Sequence, residues 1–247
     1  MQAIIEYVGE KGVVPLAELE AHFGVSMSTL RRDIAVLCQQ GALNKMYGCV
    51  SKNTPAANVI PFHLRSGLHL PEKLQAAKAA ARFVNDNDFV FIDSGSTTCM
   101  MIDFLKDRKN VSIVTNNLDV VMRAVAYPNL QIYVLPGMLN RENNSFTALA
   151  EEHLFANFNI TKVFIACGGF SLKQGVSHTY PSEGVLKKRA LALTENRYLV
   201  LDETKFGAPA PLRFCGATEF SVVCTNRMPP PEYVAYFKEN NIELAYE

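Results

Sequence analysis

Six short apolar runs dominate the last two thirds of the sequence and leave few folds open to it. They are FVFID (89–93), VSIVT (111–115), IYVLPG (132–137), KVFIACGG (162–169), RYLVLD (197–202) and SVVCT (221–225). Each is four to eight residues long and apolar without alternation, as expected of a strand covered on both faces. Between them lie segments with helical spacing: Lys73–Val84, CMMIDFL, LDVVMRAVA and EGVLKKRALAL. Parallel strands need a crossover of a dozen or more residues, most often a helix, whereas antiparallel neighbours need only a tight turn. The alternation therefore predicts an α/β domain built on a largely parallel sheet, over residues 72–247.

The first fifty residues read differently. Ala3, Ile4, Ile5, Tyr7 and Val8 make one helical face that stops at Gly12. PLAELEAHF follows, with Pro15 suited to a helix start and Leu16, Leu19 and Phe23 on one stripe. GVS makes a short turn, and Ser26 is a good N-cap for a third helix on which Leu30, Ile34 and Leu37 share a face. At 100° per residue, Ser28, Arg32 and Gln39 point the opposite way, flanked by Thr29 and Arg31. GALNKMYGCV then reads as a turn and a short hairpin. Three short helices and a hairpin predict a winged helix-turn-helix over residues 1–52. Residues 53–71, with three prolines and little periodicity, read as a linker.

Charge sharpens that reading. Lys+Arg and Asp+Glu number 24 each, so the total implies no polyanionic partner. Residues 1–30 hold one lysine against four glutamates, whereas residues 31–52 hold Arg31, Arg32, Lys45 and Lys52 against Asp33 alone. The neutral total conceals a basic segment. Arg31 and Arg32 either decorate a solvated face or reach an anion. Their place on the second helix of a helix-turn-helix (Val14 to Asp33), with a basic hairpin behind it, favours double-stranded DNA. Ser28, Thr29, Arg31 and Arg32 are then the base- and phosphate-facing set, and Lys45 and Tyr47 are wing contacts to phosphate. Asp33 faces back toward the core.

In the α/β part, FVFID brings Asp93 to the end of a strand, Gly95 allows a tight turn, and Ser96, Thr97 and Thr98 open a helix. Free N–H groups and hydroxyls at a helix start suit a phosphate, although a single hydroxyl serves for ordinary capping. Other strand ends supply Asn116, Gly137, Asp202 and Lys205, and a late helix supplies Glu183 and Lys187 near its start. Ligands of open α/β sheets bind at this edge. The five histidines and six cysteines show no ligand spacing, so no metal is expected, and the cysteines read as reduced, buried thiols of a cytoplasmic protein. No apolar run reaches membrane-spanning length.

VVPLAELEAHFGVSMSTLRRDIAVLCQQGALNKMYG resembles the N-terminal domain of the DeoR family of bacterial transcription regulators, and IDSGSTT, VTNN, LPG and DETKFG follow the order of that family's sensor domain. The resemblance implies a sensor of the sugar-phosphate isomerase-like (CoA-transferase-like) fold, with Lys205 lining its pocket. It also implies a phosphorylated sugar as effector and no other cofactor, a homodimer or higher oligomer, and no catalysis. Repression of a carbohydrate or nucleoside catabolic operon is the family's commoner mode. The tail PPPEYVAYFKENNIELAYE is most similar to the deoxyribonucleoside-operon branch, which answers to deoxyribose 5-phosphate. The alternative is a sugar-phosphate isomerase-like enzyme carrying a DNA-binding appendage, with Asp93, Glu183 or Lys205 as its acid or base.

Overall fold

The computed structural model describes residues 1–11, 13–39, 42–46, 49–52, 62–148 and 154–247, which divide into two compact units, Met1–Val59 and Ile60–Glu247. The first contains α1 (Gln2–Lys11), β1 (Val13–Pro15), α2 (Leu16–Phe23), α3 (Met27–Gln39), β2 (Leu43–Met46) and β3 (Cys49–Lys52). Its core is the stripe read from the helical spacing: Leu19, Leu30, Ile34 and Leu37 are buried together with Ile4, Val8 and Val50. The strand β1 is a feature the sequence reading missed. Val13–Pro15 pairs antiparallel with β3, which also pairs with β2, so the wing is a three-stranded sheet. Pro15 ends β1 directly ahead of α2, where its missing N–H costs the sheet little.

The second unit runs α4 (Phe62–Gly67), α5 (Leu70–Ala81), β4 (Phe89–Ile92), a 3₁₀ turn (Thr98–Phe104), β5 (Val111–Thr115), α6 (Leu118–Ala124) and β6 (Leu130–Val134). It continues with the hairpin β7 (Met138–Asn140) and β8 (Ser145–Thr147), then β9 (Lys162–Ala166), β10 (Gly169–Ser171), β11 (Gly175–His178) and α7 (Pro181–Leu191). The last elements are β12 (Arg197–Val200), β13 (Leu212–Cys215), β14 (Val222–Cys224), α8 (Pro231–Glu239) and β15 (Glu243–Ala245). The six apolar runs all enter one parallel sheet, ordered β15-β14-β12-β9-β4-β5-β6, with β15 from the C-terminal tail as its seventh strand. Apolar clusters cover both faces, with Phe164 and Val200 on one and Phe91 and Leu199 on the other, which is why these runs do not alternate.

One expectation needs correcting, and one sheet went unread. Residues 62–71, assigned to the linker, form α4 and the start of α5; Phe62 is 1% exposed within the core of this unit. Pro71 sits in the first turn of α5, where its missing N–H costs no helical hydrogen bond. A three-stranded antiparallel sheet, β10-β11-β13, also stands apart from the parallel one. Its strands are three or four residues long, too short to print a periodicity on the sequence.

The strand order fixes where chemistry can gather. From β4 the chain moves outward through β5 to β6, then returns to place β9 on the other side of β4 and proceeds to β12, β14 and β15. The winding direction reverses between β4 and β9. Connections there diverge and leave a crevice at the carboxyl ends of the strands.

Candidate DNA interface and effector site

In the first unit, Ser26 caps α3. Its hydroxyl accepts from the Thr29 amide at 3.3 Å and shares hydrogen bonds of 2.9 Å with the hydroxyls of Ser28 and Thr29. Burying Leu30, Ile34 and Leu37 turns Ser28, Thr29, Arg31 and Arg32 outward, and all four are exposed, while Asp33 is half-buried. An exposed arginine pair beside two hydroxyls at the start of a capped helix can take base edges and phosphates. Lys45 lies in β2 of the wing. Tyr47 lies outside the described residues.

In the second unit, the turn after β4 sits at the reversal between β4 and β9. Asp93 is its anchor. One carboxylate oxygen accepts from the Gly95 amide at 3.1 Å and the Thr98 hydroxyl at 2.6 Å. The other accepts from the Ala166 amide of β9 at 2.9 Å and from the Lys187 ammonium. Lys187, on α7, also donates to the Ala166 carbonyl at 3.1 Å. Both members of this ion pair are at least nine-tenths buried. Burial pulls the Lys187 pKa down, but attraction to Asp93 and Glu183 outweighs it and the net shift is upward. Glu183, one turn earlier on α7, accepts from the Ser94 hydroxyl at 2.8 Å, and burial raises its pKa against the pull of Lys187.

Gly95 is required here by space. It is not among the residues of positive φ; a Cβ at this position would lie 2.2 Å from Cβ of Ala166 and 2.6 Å from the Thr98 hydroxyl. The three hydroxyls read as one anion site divide. Thr98 is spent on Asp93, whereas Ser96 and Thr97 make no side-chain hydrogen bond among the described residues, and Thr97 does not cap the turn that follows. Asn116, at the end of β5, donates to the Phe146 carbonyl at 3.4 Å, leaving its buried oxygen without a partner among the described residues. Asn116 and Glu183 line one cleft with Ser145 and Phe146 of the β7–β8 hairpin. Gly137 borders it, and a Cβ there would strike the Thr147 carbonyl at 2.3 Å. Lys205 is half-buried in the short turn that follows β12.

Two cations that the sequence reading left out complete the site. Lys73, on α5, is 3% exposed and donates to the Arg65 carbonyl. Burial lowers its pKa to about 8, with help from Lys205 and Arg65 and against Asp202. Arg65, on α4, donates to the Asn143 side chain, while its Nε is buried without an acceptor among the described residues. The Tyr180 hydroxyl and one Asp202 oxygen are buried and unpartnered in the same sense. Such groups each cost roughly 1–3 kcal/mol when left unpaired, a cost that a polar ligand bonding them would offset. A helical count finds Lys73: Ala76, Ala77 and Ala80, at i+3, i+4 and i+7, are all buried, so the lysine lies on the core stripe. Among the described residues no group of three His, Cys, Asp or Glu is arranged to hold a metal, and no helix is long and apolar enough to cross a membrane.

Comparison with known proteins agrees with this division. Residues 1–56 match the DeoR-like helix-turn-helix domain and residues 68–227 the DeoR C terminal sensor domain. The HTH-type transcriptional regulator IolR of Bacillus subtilis is 35% identical over 99% of this chain and 97% of its own length. The glycerol-3-phosphate regulon repressor of Escherichia coli is 27% identical over 98% of this chain and 95% of its own. A ribose 5-phosphate isomerase from Plasmodium falciparum is a partial structural neighbour, 16% identical, spanning 54% of this chain and 51% of that one with a TM-score of 0.38. Two family domains in series and a relative aligned over 97% of its length leave one conclusion: the chain belongs to the DeoR family of helix-turn-helix transcriptional regulators.

Proposed function

We propose that this regulator is a cytoplasmic, homo-oligomeric repressor of a carbohydrate-related operon, released or engaged by a phosphorylated sugar or polyol bound in its second unit. The α3 face of Ser28, Thr29, Arg31 and Arg32 reads the operator in the major groove, and Lys45 and Tyr47 hold the flanking phosphates. The observation that carries the effector reading is the charge at the sheet reversal. Lys187 is neutralised by Asp93 within the scaffold, which leaves Lys73 within electrostatic reach of Asp202, Lys205 and Arg65, and Arg65 within reach of Glu183. Ser96 and Thr97, whose hydroxyls make no hydrogen bond among the described residues, lie in the turn that follows β4. That surplus of buried and half-buried cations suits a phosphate, while Glu183, Asn116 and Asp202 suit sugar hydroxyls. A relative named for the glycerol-3-phosphate regulon supports the same chemical class.

Asp93 is held by four donors, which makes it a structural anchor and a poor base. The relatives are named transcriptional regulators, so we expect no turnover. A thermal-shift screen of the full chain against phosphorylated sugars and polyols tests the reading. A ligand at 100 times its Kd stabilises the folded state by about 2.7 kcal/mol, and the unphosphorylated sugars should do nothing. Stabilisation by free sugars alone, or conversion of an aldose phosphate to a ketose, contradicts it.

A further inference from the structure

We propose that Arg65 both grips the phosphate of the effector and reports its arrival, because α4 is the first described element after residues 53–61, which lead from the DNA-binding unit. The proposal rests on the effector-site reading above and adds a route out of that site. Two bonds clasp α4 to the turn between β7 and β8: the Phe62 amide donates to the Glu142 carbonyl at 2.8 Å, and the Arg65 guanidinium donates to Asn143. The other side of that turn is fastened to the strand ends. The Leu118 amide donates to Asn144 O at 2.8 Å, the Phe146 amide to Asn116 O at 2.7 Å, and the Asn144 side chain to Asp119 at 3.1 Å. Asn117 then bonds the carbonyls of Asp93 and Gly95 at 3.0 and 3.2 Å. A continuous hydrogen-bonded path thus joins the Asp93 turn to α4.

Arg65 has capacity to spare. Its guanidinium stacks 5.4 Å from the Phe62 ring centroid and spends one N–H group on Asn143, while the buried Nε–H lacks an acceptor among the described residues. The Tyr180 hydroxyl, also without a partner among the described residues, senses the charges of Arg65 and Glu183. Lys73 spends one of its three donors on the Arg65 carbonyl. A phosphate dianion accepting from Arg65 Nε and Lys73 would satisfy both cations and tighten α4 against the β7–β8 turn.

The test uses the full chain and inorganic phosphate as probe, at constant ionic strength with chloride and sulfate as controls. Thermal shift gives the half-saturating concentration, and hydrogen exchange is followed on the amides of residues 62–67. Phosphate should stabilise the parent and slow exchange in α4. Arg65→Gln should raise the half-saturating concentration about tenfold or more, and Arg65→Lys, which keeps the charge without the fork, by less. Asn143→Ala should bind phosphate like the parent yet lose the added protection of α4. If the parent binds phosphate and Arg65→Gln and Arg65→Lys bind it equally well, the assignment of Arg65 fails while the effector site stands. If Asn143→Ala keeps the protection, the route fails. A parent indifferent to phosphate overturns both readings.

Discussion

Replacing Lys187 by methionine removes one half of a buried ion pair and leaves the other in place. Asp93, 1% exposed, would keep the amides of Gly95 and Ala166 and the hydroxyl of Thr98 as donors, so its carboxylate is partly compensated. Removing one partner of a buried pair costs about 3–5 kcal/mol, and three surviving donors place this case near 3. For a unit of this size that is a fall of roughly 6–12 °C in melting temperature. Glu183 adds a pH signature. Its pKa is already raised by burial, and losing the attraction of Lys187 raises it further. A carboxyl with a raised folded-state pKa loses stability as pH climbs through that value, so the deficit of Lys187→Met should be smaller at pH 5.5 than at pH 7.5. Urea denaturation followed by circular dichroism measures both effects. Asp93→Asn combined with Lys187→Met should cost less than the two single changes summed, since no charge is left stranded. A cost below about 1 kcal/mol, or additivity in the double variant, would show that the pair is solvated and does not organise the site.

Arg32→Ala should leave thermal stability within about 0.5 kcal/mol, because the side chain is exposed, but reduce specific operator affinity by about 1–3 kcal/mol in a titration against non-specific DNA. Gly95→Val should wreck the turn at the sheet reversal, since the added Cβ overlaps Ala166; in the full chain phosphate-dependent stabilisation disappears while non-specific DNA binding by residues 1–59 is retained. Phosphate affinity should fall as pH rises from 7 to 9.5, because Lys73, with its pKa near 8, loses the proton that makes it a cation, and calorimetry at pH 8 should show proton uptake on binding. An affinity flat across that range removes Lys73 from the site.

The parts of this molecule that were legible in the sequence are those where burial dictates period. Continuous apolar runs gave away the parallel strands, and the 3.6-residue stripe of Leu30, Ile34 and Leu37 put Arg31 and Arg32 on the outer face of α3. The three-residue strands β1, β7, β8, β10 and β15 were invisible because their pairing is set by tertiary partners. The site was half legible. Asp93, Glu183 and Lys187 stand at strand and helix ends, where the fold must gather polar groups. Nothing local shows, though, that the Thr98 hydroxyl serves Asp93 while its neighbours make no such bond among the described residues. Arg65 was hidden by the prolines around it, and Lys73 by an ordinary-looking alanine- and lysine-rich helix. Lys78, in the same run, is the solvated residue that Lys73 resembles, with a side chain 53% exposed.

On the proposed function, a phosphorylated ligand in the second unit changes how the first holds DNA. That coupling is tested most directly by titrating the full chain onto the DNA flanking its own gene, with and without the sugar phosphate that gives the largest thermal shift. The parent should bind one fragment specifically and change its affinity several-fold when the ligand is added. Lys205→Ala should bind that fragment as tightly, yet need a higher ligand concentration for the same change. Ligand that stabilises the protein but leaves operator affinity unaltered would contradict the account.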